Sequence, residues 1–547
     1  MNERKWQSYP RPQLKRDSYE NLNGTWELNG QKIQVPFAPS SSLSEYNGII
    51  GENLTYKTIF EIPEGFIKER VLLHFGAVDE VANVYVNDIH VGKHEGGYLH
   101  FSFDITHAIK TQGKNELRVE VEDTLSRVYP YGKQSKKRGG MWYTPISGIW
   151  QTVWMENVPA DYIEDIRLTP SMEDVEICVL GTVKGFHATV FDGEKVIIEQ
   201  SFTENKGKLT IPNPKLWDTK HPHLYDLIIK AGEDEIQSYF ALRTVEIKKV
   251  DGVSRVCLNN KPIFMHGILD QGYYEDGIYL PEDEEEYTKD ILRMKELGFN
   301  MLRKHIKIEP EKFYYECDKK GMLVIQDMVN NGGYNYILDT VLPTIGFKKR
   351  NDCKGRYQDD ECKKVFKWHM KDTLRDLYNH PCIIGYTIFN EGWGQFESDR
   401  MYELAKSVDA TRLYDTTSGW FAQKKSDFDS EHIYFRAKEL HAKERPMFLS
   451  ECGGFTYAVE GHMYNSEKSY GYGACQSKEE LTDRIVDMYE KMVLPGIRGG
   501  VCGCVYTQVS DVEDEINGMY TYDRQVCKVN TEKMKTLAAR LYKEIEL

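Results

Sequence analysis

The rhythm of apolar and polar positions changes after about residue 250. Before that point it has period two. Leu117, Val119 and Val121 alternate with Glu116, Arg118, Glu120 and Glu122, the pattern of an antiparallel strand with one face buried. In VANVYVNDIHVG, Asn87-Asp88 falls between two β-prone runs and predicts a tight hairpin. Residues 1–158 therefore read as an N-terminal β-sandwich. Residues 159–249 continue in strands and suit a small immunoglobulin-like β-sandwich with Trp217, Leu224, Tyr225 and Phe240 in its core.

From residue 250 to 547 strands and helices alternate. The segment 282–297 puts Tyr287, Ile291 and Met294 on one helical face before Gly298 ends it, and 310–320 is a second helix stopped at Gly321. Strands are predicted at 264–268, 299–303, 322–326, 383–389, ending at Asp415, 433–434, 447–449 and 501–506, with further helices near 361–378, 397–408, 479–492 and 531–545. Eight strands in about 298 residues is the count and size of a C-terminal (β/α)8 TIM barrel. A helix expected after the fifth strand is not visible, and residues 328–359 read as a long irregular third loop, of the kind that shapes a pocket.

Two of the barrel runs stop on a glutamate. IIGYTIF leads into Asn390-Glu391-Gly-Trp-Gly, and MFL into Ser450-Glu451. The C-terminal ends of barrel strands face the catalytic mouth, so Glu391 and Glu451 are the candidate catalytic pair. One such glutamate is commonly a solvated strand end; two on different strands, one beside Asn390, point to paired carboxyl chemistry.

Composition narrows the function without choosing it. The 547 residues carry a net charge of -15, which disfavours a nucleic-acid partner, and no apolar run approaches the roughly 18 residues of a membrane span. The N-terminal stretch has no secretory apolar core, and eleven scattered cysteines suit reduced thiols, so a cytoplasmic location is expected. Cys502 and Cys504 share one strand face, but no second Cys or His pair stands at ligand spacing, and neither a metal nor a cofactor is expected. RGGMWYTPISGIWQTVWME is rich in aromatics: Trp150 and Trp154 suit a core or seam, whereas Trp142 and Tyr143, beside Gly139 and Gly140, suit a loop.

With these residues in view the chain resembles glycoside hydrolase family 2, the β-galactosidases, β-glucuronidases and β-mannosidases. NLNGTWEL and GGMWYTPISGIWQTVWME look like the opening and close of that family's jelly-roll sugar-binding domain. The resemblance implies a retaining exo-enzyme that removes a terminal β-linked sugar from an oligosaccharide or glycoside. It implies Glu391 as acid/base, Glu451 as nucleophile and Asn390 on the 2-hydroxyl. Tyr434 would orient the nucleophile and Arg303 would contact it. The run Arg303-Lys304-His305 is one residue tighter than the family's Arg-x-x-His, which puts the role of His305 in question. Trp393 and Trp420 are candidates for a wall against the sugar.

Asp270, Gln271 and Glu275 in the first loop and Gln508, Asp511 and Glu513 in the eighth are candidates to grip the hydroxyls of a neutral sugar. The eighth loop reads Asn517-Gly518-Met519, without the lysine of the family's glucuronidases, although Lys304 and Lys307 lie close to the rim. Glucuronide specificity is therefore disfavoured, and the resemblance to the family, in which β-galactosidases are common, implies a β-galactosidase-like specificity, with arabinosidase, β-mannosidase and β-glucuronidase as alternatives. A reading from another class is a carbohydrate-binding protein with an inactive barrel. Relatives that assemble suggest a homo-oligomer.

Overall fold

The computed structural model describes residues 6–353, 358–434 and 437–546. The first sandwich pairs a six-stranded sheet, spanning Gly24–Leu28 to Lys114–Glu122, with a four-stranded one that includes Arg70–Phe75 and Val153–Val158. The alternation at 116–122 is a real face: Leu117, Val119 and Val121 are buried between the sheets and their neighbours are not. Asn87 and Asp88 both take left-handed backbone, with φ of 51° and 64°, as a two-residue hairpin of that hand requires. The second sandwich packs three strands, starting at Ile163–Pro170, on four that end at Asp234–Phe240. Tyr225 and Phe240 lie in its core. Trp217 does not: it is packed into the barrel cluster and donates its indole N–H to the Asp318 carbonyl at 2.8 Å, so it forms the seam between the two domains.

The barrel strands are β1 (Met265–Asp270), β2 (Met301–Lys304), β3 (Leu323–Asp327), β4 (Ile383–Asn390), β5 (Leu413–Ser418), β6 (Asp429–Ile433), β7 (Met447–Gly453) and β8 (Val501–Thr507). Parallel ladders run β5-β4-β3-β2-β1-β8-β7-β6. Side chains join β5 to β6: Ser430 Oγ donates to Asp415 Oδ2 at 2.9 Å, and Ser418 Oγ lies 3.0 Å from His432 Nε2.

Helices α1 (Glu285–Glu296), α2 (Glu311–Lys320), α3 (Asp360–Asp376), α4 (Ser398–Val408), α5 (Lys478–Met488) and α6 (Thr531–Glu546) flank the barrel. Tyr287, Ile291 and Met294 are the buried stripe of α1. No helix separates β5 from β6, and the third loop, expected to be irregular, carries helical turns at Ile337–Val341 and Leu342–Thr344. Residues 354–357 of that loop lie outside the described residues. No helix among the described residues is long and apolar enough to cross a membrane.

The sandwich reaches the barrel mouth through residues 127–145. Asn331 Nδ2 donates to the Val128 carbonyl at 2.7 Å, Tyr131 N to the Asn330 carbonyl at 3.0 Å, and Thr144 N to Glu513 Oε1 at 2.9 Å. Trp150 sits in this seam against Tyr279, 5.0 Å between ring centres. Tyr143, expected to be loop-like, is wholly buried there and donates to Glu515.

Candidate active site

The end of β4 turns sharply. Gly392 and Gly394 have φ of 79° and 61°, and a Cβ on Gly392 would meet the Phe421 ring at 2.4 Å. Glu391 itself is forced to φ of 50°, a sparsely populated region for a side chain of this kind. The turn aims Glu391 across the mouth at Glu451 on β7. The nearest ligand atoms of Glu391, Glu451 and His432 all lie within 4.8 Å of one another.

Arg303 on β2 ties the site together from beneath. Its guanidinium donates to Asp327 Oδ1 at 3.0 Å, Glu451 Oε1 at 3.1 Å, the Ser450 carbonyl at 2.9 Å and Asn390 Oδ1 at 2.9 Å. Fixing four acceptors on three strands uses the planar fork of arginine, which a single ammonium cannot match. Tyr434, just past β6, lies 2.7 Å from Glu451 Oε2 and 3.1 Å from Glu391 Oε1. A phenol has one proton to donate, so the shorter bond to Glu451 takes it, and a protonated Glu391 is free to donate to the phenolic oxygen.

Burial pushes the Glu391 carboxyl from its ordinary 4.5 up to about 7, against the pull of Lys133, the Tyr434 hydrogen bond, Arg303 and Lys348. Two imidazoles stand beside the pair. His432 Nδ1 is 2.8 Å from Glu391 Oε1, and burial brings this ring down to about 4. His305 Nδ1 is 2.7 Å from Asp327 Oδ2, and burial, with the Lys133 charge, holds His305 well below its usual range. Both rings are therefore neutral near pH 7. A neutral His305 donating from Nδ1 to Asp327 leaves Nε2 as an acceptor.

The structure thus brings Glu391, Glu451, Asn390, Arg303, His305 and Tyr434 to one place. Trp393 packs at its edge, stacked on Trp142 at 5.3 Å and edge-on to Tyr334 at 5.3 Å. Trp420 lies behind the acid, 5.9 Å from the His432 ring. The hydrogen bonds of Asp270 and Gln508 run to other residues of the mouth. Asp270 is bonded by Lys304 Nζ at 2.9 Å and Gly272 N at 2.9 Å, and Gln508 Oε1 accepts from Gln271 Nε2 at 2.8 Å. Asp511 is likewise held by Lys528 at 2.7 Å, and Lys307 by Glu309 and two carbonyls.

Three residues at the site had not been singled out from sequence. Asp327 carries the same signal as Glu391, an apolar run (MLVIQ) stopped by a carboxylate. His432 stands two residues before Tyr434, so the period-two rule puts both on one strand face. Lys133 comes from the sandwich, and no local pattern announces it. Glu391, His432 and Glu451 form the one His/Cys/Asp/Glu set among the described residues close enough to hold a metal, but Arg303 and Tyr434 already engage its carboxylates.

Comparison with known proteins follows the domain order. Residues 28–157 match the galactose-binding domain-like profile of glycosyl hydrolase 2, residues 162–243 the glycosyl hydrolases family 2 profile, and residues 245–494 that family's TIM barrel domain. A putative β-glucuronidase of Formosa agariphila is 24% identical over 523 residues, covering 83% of this chain and 58% of that protein. A β-galactosidase of Thermoanaerobacter pseudethanolicus is 27% identical over 384 residues, covering 65% of this chain and 47% of that protein. The chain thus spans about half the length of these curated relatives. Among solved structures, a β-D-glucuronidase of Dictyoglomus thermophilum superposes with a TM-score of 0.75 at 20% identity, covering 97% of this chain and 98% of that one. This likeness is one of fold.

Proposed function

Because the chain belongs to glycosyl hydrolase family 2, we propose that it hydrolyses terminal β-glycosides with retention, Glu451 acting as nucleophile and Glu391 as acid/base. The observation that carries this reading is the approach of the two carboxyl groups to within 4.8 Å, since retaining pairs stand about 5–5.5 Å apart and inverting pairs leave room for a water.

In the first step Glu451 attacks the anomeric carbon, the glycosidic bond breaks, and Glu391 gives its proton to the departing oxygen. In the second, Glu391, now a carboxylate, takes a proton from water; the water oxygen bonds the anomeric carbon and Glu451 leaves. The raised pKa of Glu391 suits a group that must hold a proton near neutral pH and then accept one. Arg303 and Tyr434 fix the attacking carboxylate, and Asn390, held by Arg303, is positioned for the sugar's 2-hydroxyl.

The test is release of phenol from a panel of aryl β-glycosides by the wild-type chain and by Glu451→Gln. Turnover by wild type and its near-complete loss in a folded Glu451→Gln support the reading. No release from any sugar favours a carbohydrate-binding protein with an inactive barrel. Of the groups expected to grip a neutral hexose, Asp270, Asp511 and Glu513 are engaged with protein partners, as are Lys304 and Lys307, whereas Gln271 Oε1 and Gln508 Nε2 are buried with no hydrogen-bond partner among the described residues.

A further inference from the structure

Lys133 is a cation from one domain set into the site of another. Its residue is only 7% exposed, and its ammonium lies 5.6 Å from the Tyr143 ring centre and 5.9 Å from that of Trp393. The backbone around it is pinned. Gly132, at φ of 63°, passes so close to the barrel that a Cβ would meet the Ile306 carbonyl at 2.9 Å. Tyr131 N donates to Asn330, and Tyr143 N to the Lys133 carbonyl at 3.0 Å. Gln134 Nε2 donates to Asp79 Oδ2 at 3.0 Å.

Yet among the described residues no carboxylate lies within ion-pair distance of the Lys133 ammonium and no acceptor takes its hydrogen bonds, whereas the buried Lys304, Lys307 and Lys528 have both. Most of the side chain is buried while the ammonium keeps access to solvent, so a charged group free of protein partners is held at the opening. Its place beside the Trp393 ring, two residues from Glu391, sets it at the edge of the cleft, and after burial its charge is the largest influence on Glu391 and on His305.

We propose that the Lys133 ammonium is a substrate-binding group that docks a carboxylate, so that the substrates are acidic glycosides, uronides foremost. This rests on the reading of the site as a glycosidase. A substrate carboxylate would supply the missing counter-charge with charge-assisted hydrogen bonds, and the two aromatic faces beside the ammonium reinforce a cation at this spot. The eighth loop, whose Asn517-Gly518-Met519 run lacks a lysine and whose Lys528 is paired with Asp511, then has no part in reading the carboxylate. The sandwich domain reads it.

The experiment compares kcat/KM in two matched pairs: an aryl β-glucuronide or β-galacturonide against the corresponding neutral hexoside, and a carboxyphenyl against a phenyl β-hexoside. The first pair reports a carboxylate on the terminal sugar, the second one on the leaving group. Wild type should prefer the acidic member of one pair by about tenfold or more, the worth of one charge-assisted contact, and Lys133→Met should erase that preference while Lys133→Arg keeps part of it. Equal rates within both pairs, or a preference that survives in Lys133→Met, overturns the proposal. So does a Lys133→Met variant that only moves the pH profile.

Calorimetric titration of wild type and Lys133→Met with glucuronate and galacturonate decides the matter if nothing is hydrolysed. Binding lost with Lys133 keeps the carboxylate site while the hydrolase reading falls, and no binding by wild type removes the site. Thermal unfolding of both variants controls for folding.

Discussion

Arg303 donates to Glu451 at 3.1 Å from a position with no solvent exposure, and the same side chain bonds Asp327 at 3.0 Å. Removing the cation from such a cluster leaves two buried carboxylates uncompensated. Arg303→Met should therefore cost about 3–5 kcal/mol of stability, read from urea unfolding. Arg303→Lys keeps a charge but not the fork, and should fold while losing most of kcat. Unfolding midpoints unchanged in Arg303→Met would remove the guanidinium from its tying role.

The acid sets the pH range. Burial raises the folded-state pKa of Glu391 from 4.5 to about 7, so the proton needed for the first step is present below that pH and lost above it. kcat/KM should fall on the alkaline side with an apparent pKa near 7, and Glu391→Gln, assayed on an activated aryl glycoside, should lack that limb. The same shift bears on stability. The folded state binds a proton that the unfolded state releases, so this group's contribution is full below about 4.5 and fades as pH rises to about 7. Melting temperature should decline less over that window in Glu391→Gln than in wild type.

Leaving-group dependence separates the two glutamates. Glu391→Gln should slow glycosides of poor leaving groups far more than those of acidic phenols, which depart with little protonation. Glu451→Gln should be slow on both. An equal loss for all leaving groups in Glu391→Gln would place the acid elsewhere.

Trp142 lies on Trp393 at 5.3 Å and against Tyr334 at 5.0 Å, an aromatic edge assembled from the sandwich, the third loop and the fourth. Trp142→Ala should raise KM by about tenfold with a smaller change in kcat, as loss of binding shared by ground and transition states does. A fall in kcat with KM unchanged would instead tie this ring to the chemistry.

Much of this was legible along the chain because it is local. The alternation around Leu117 dictates a half-buried strand, the stripe Tyr287–Ile291–Met294 an amphipathic helix, and an apolar run ending in Glu391 a buried strand opening on the mouth. What stayed hidden depends on distant contacts. Trp217 looks like any sandwich core residue until the Asp318 carbonyl reaches it. Asp270 looks available until Lys304, on the adjacent strand, takes its charge. Lys133 is one lysine among many in GKQSKKRGG, and only the docking of two domains makes it a site residue.

The stereochemistry of the first-formed sugar tests the central pairing most directly. Proton NMR during the early hydrolysis of the best aryl β-glycoside from the panel should show the β-hemiacetal appearing first and the α-anomer only later, by mutarotation. An α-anomer formed first would mean that water, not Glu451, attacks the anomeric carbon, and would contradict the account.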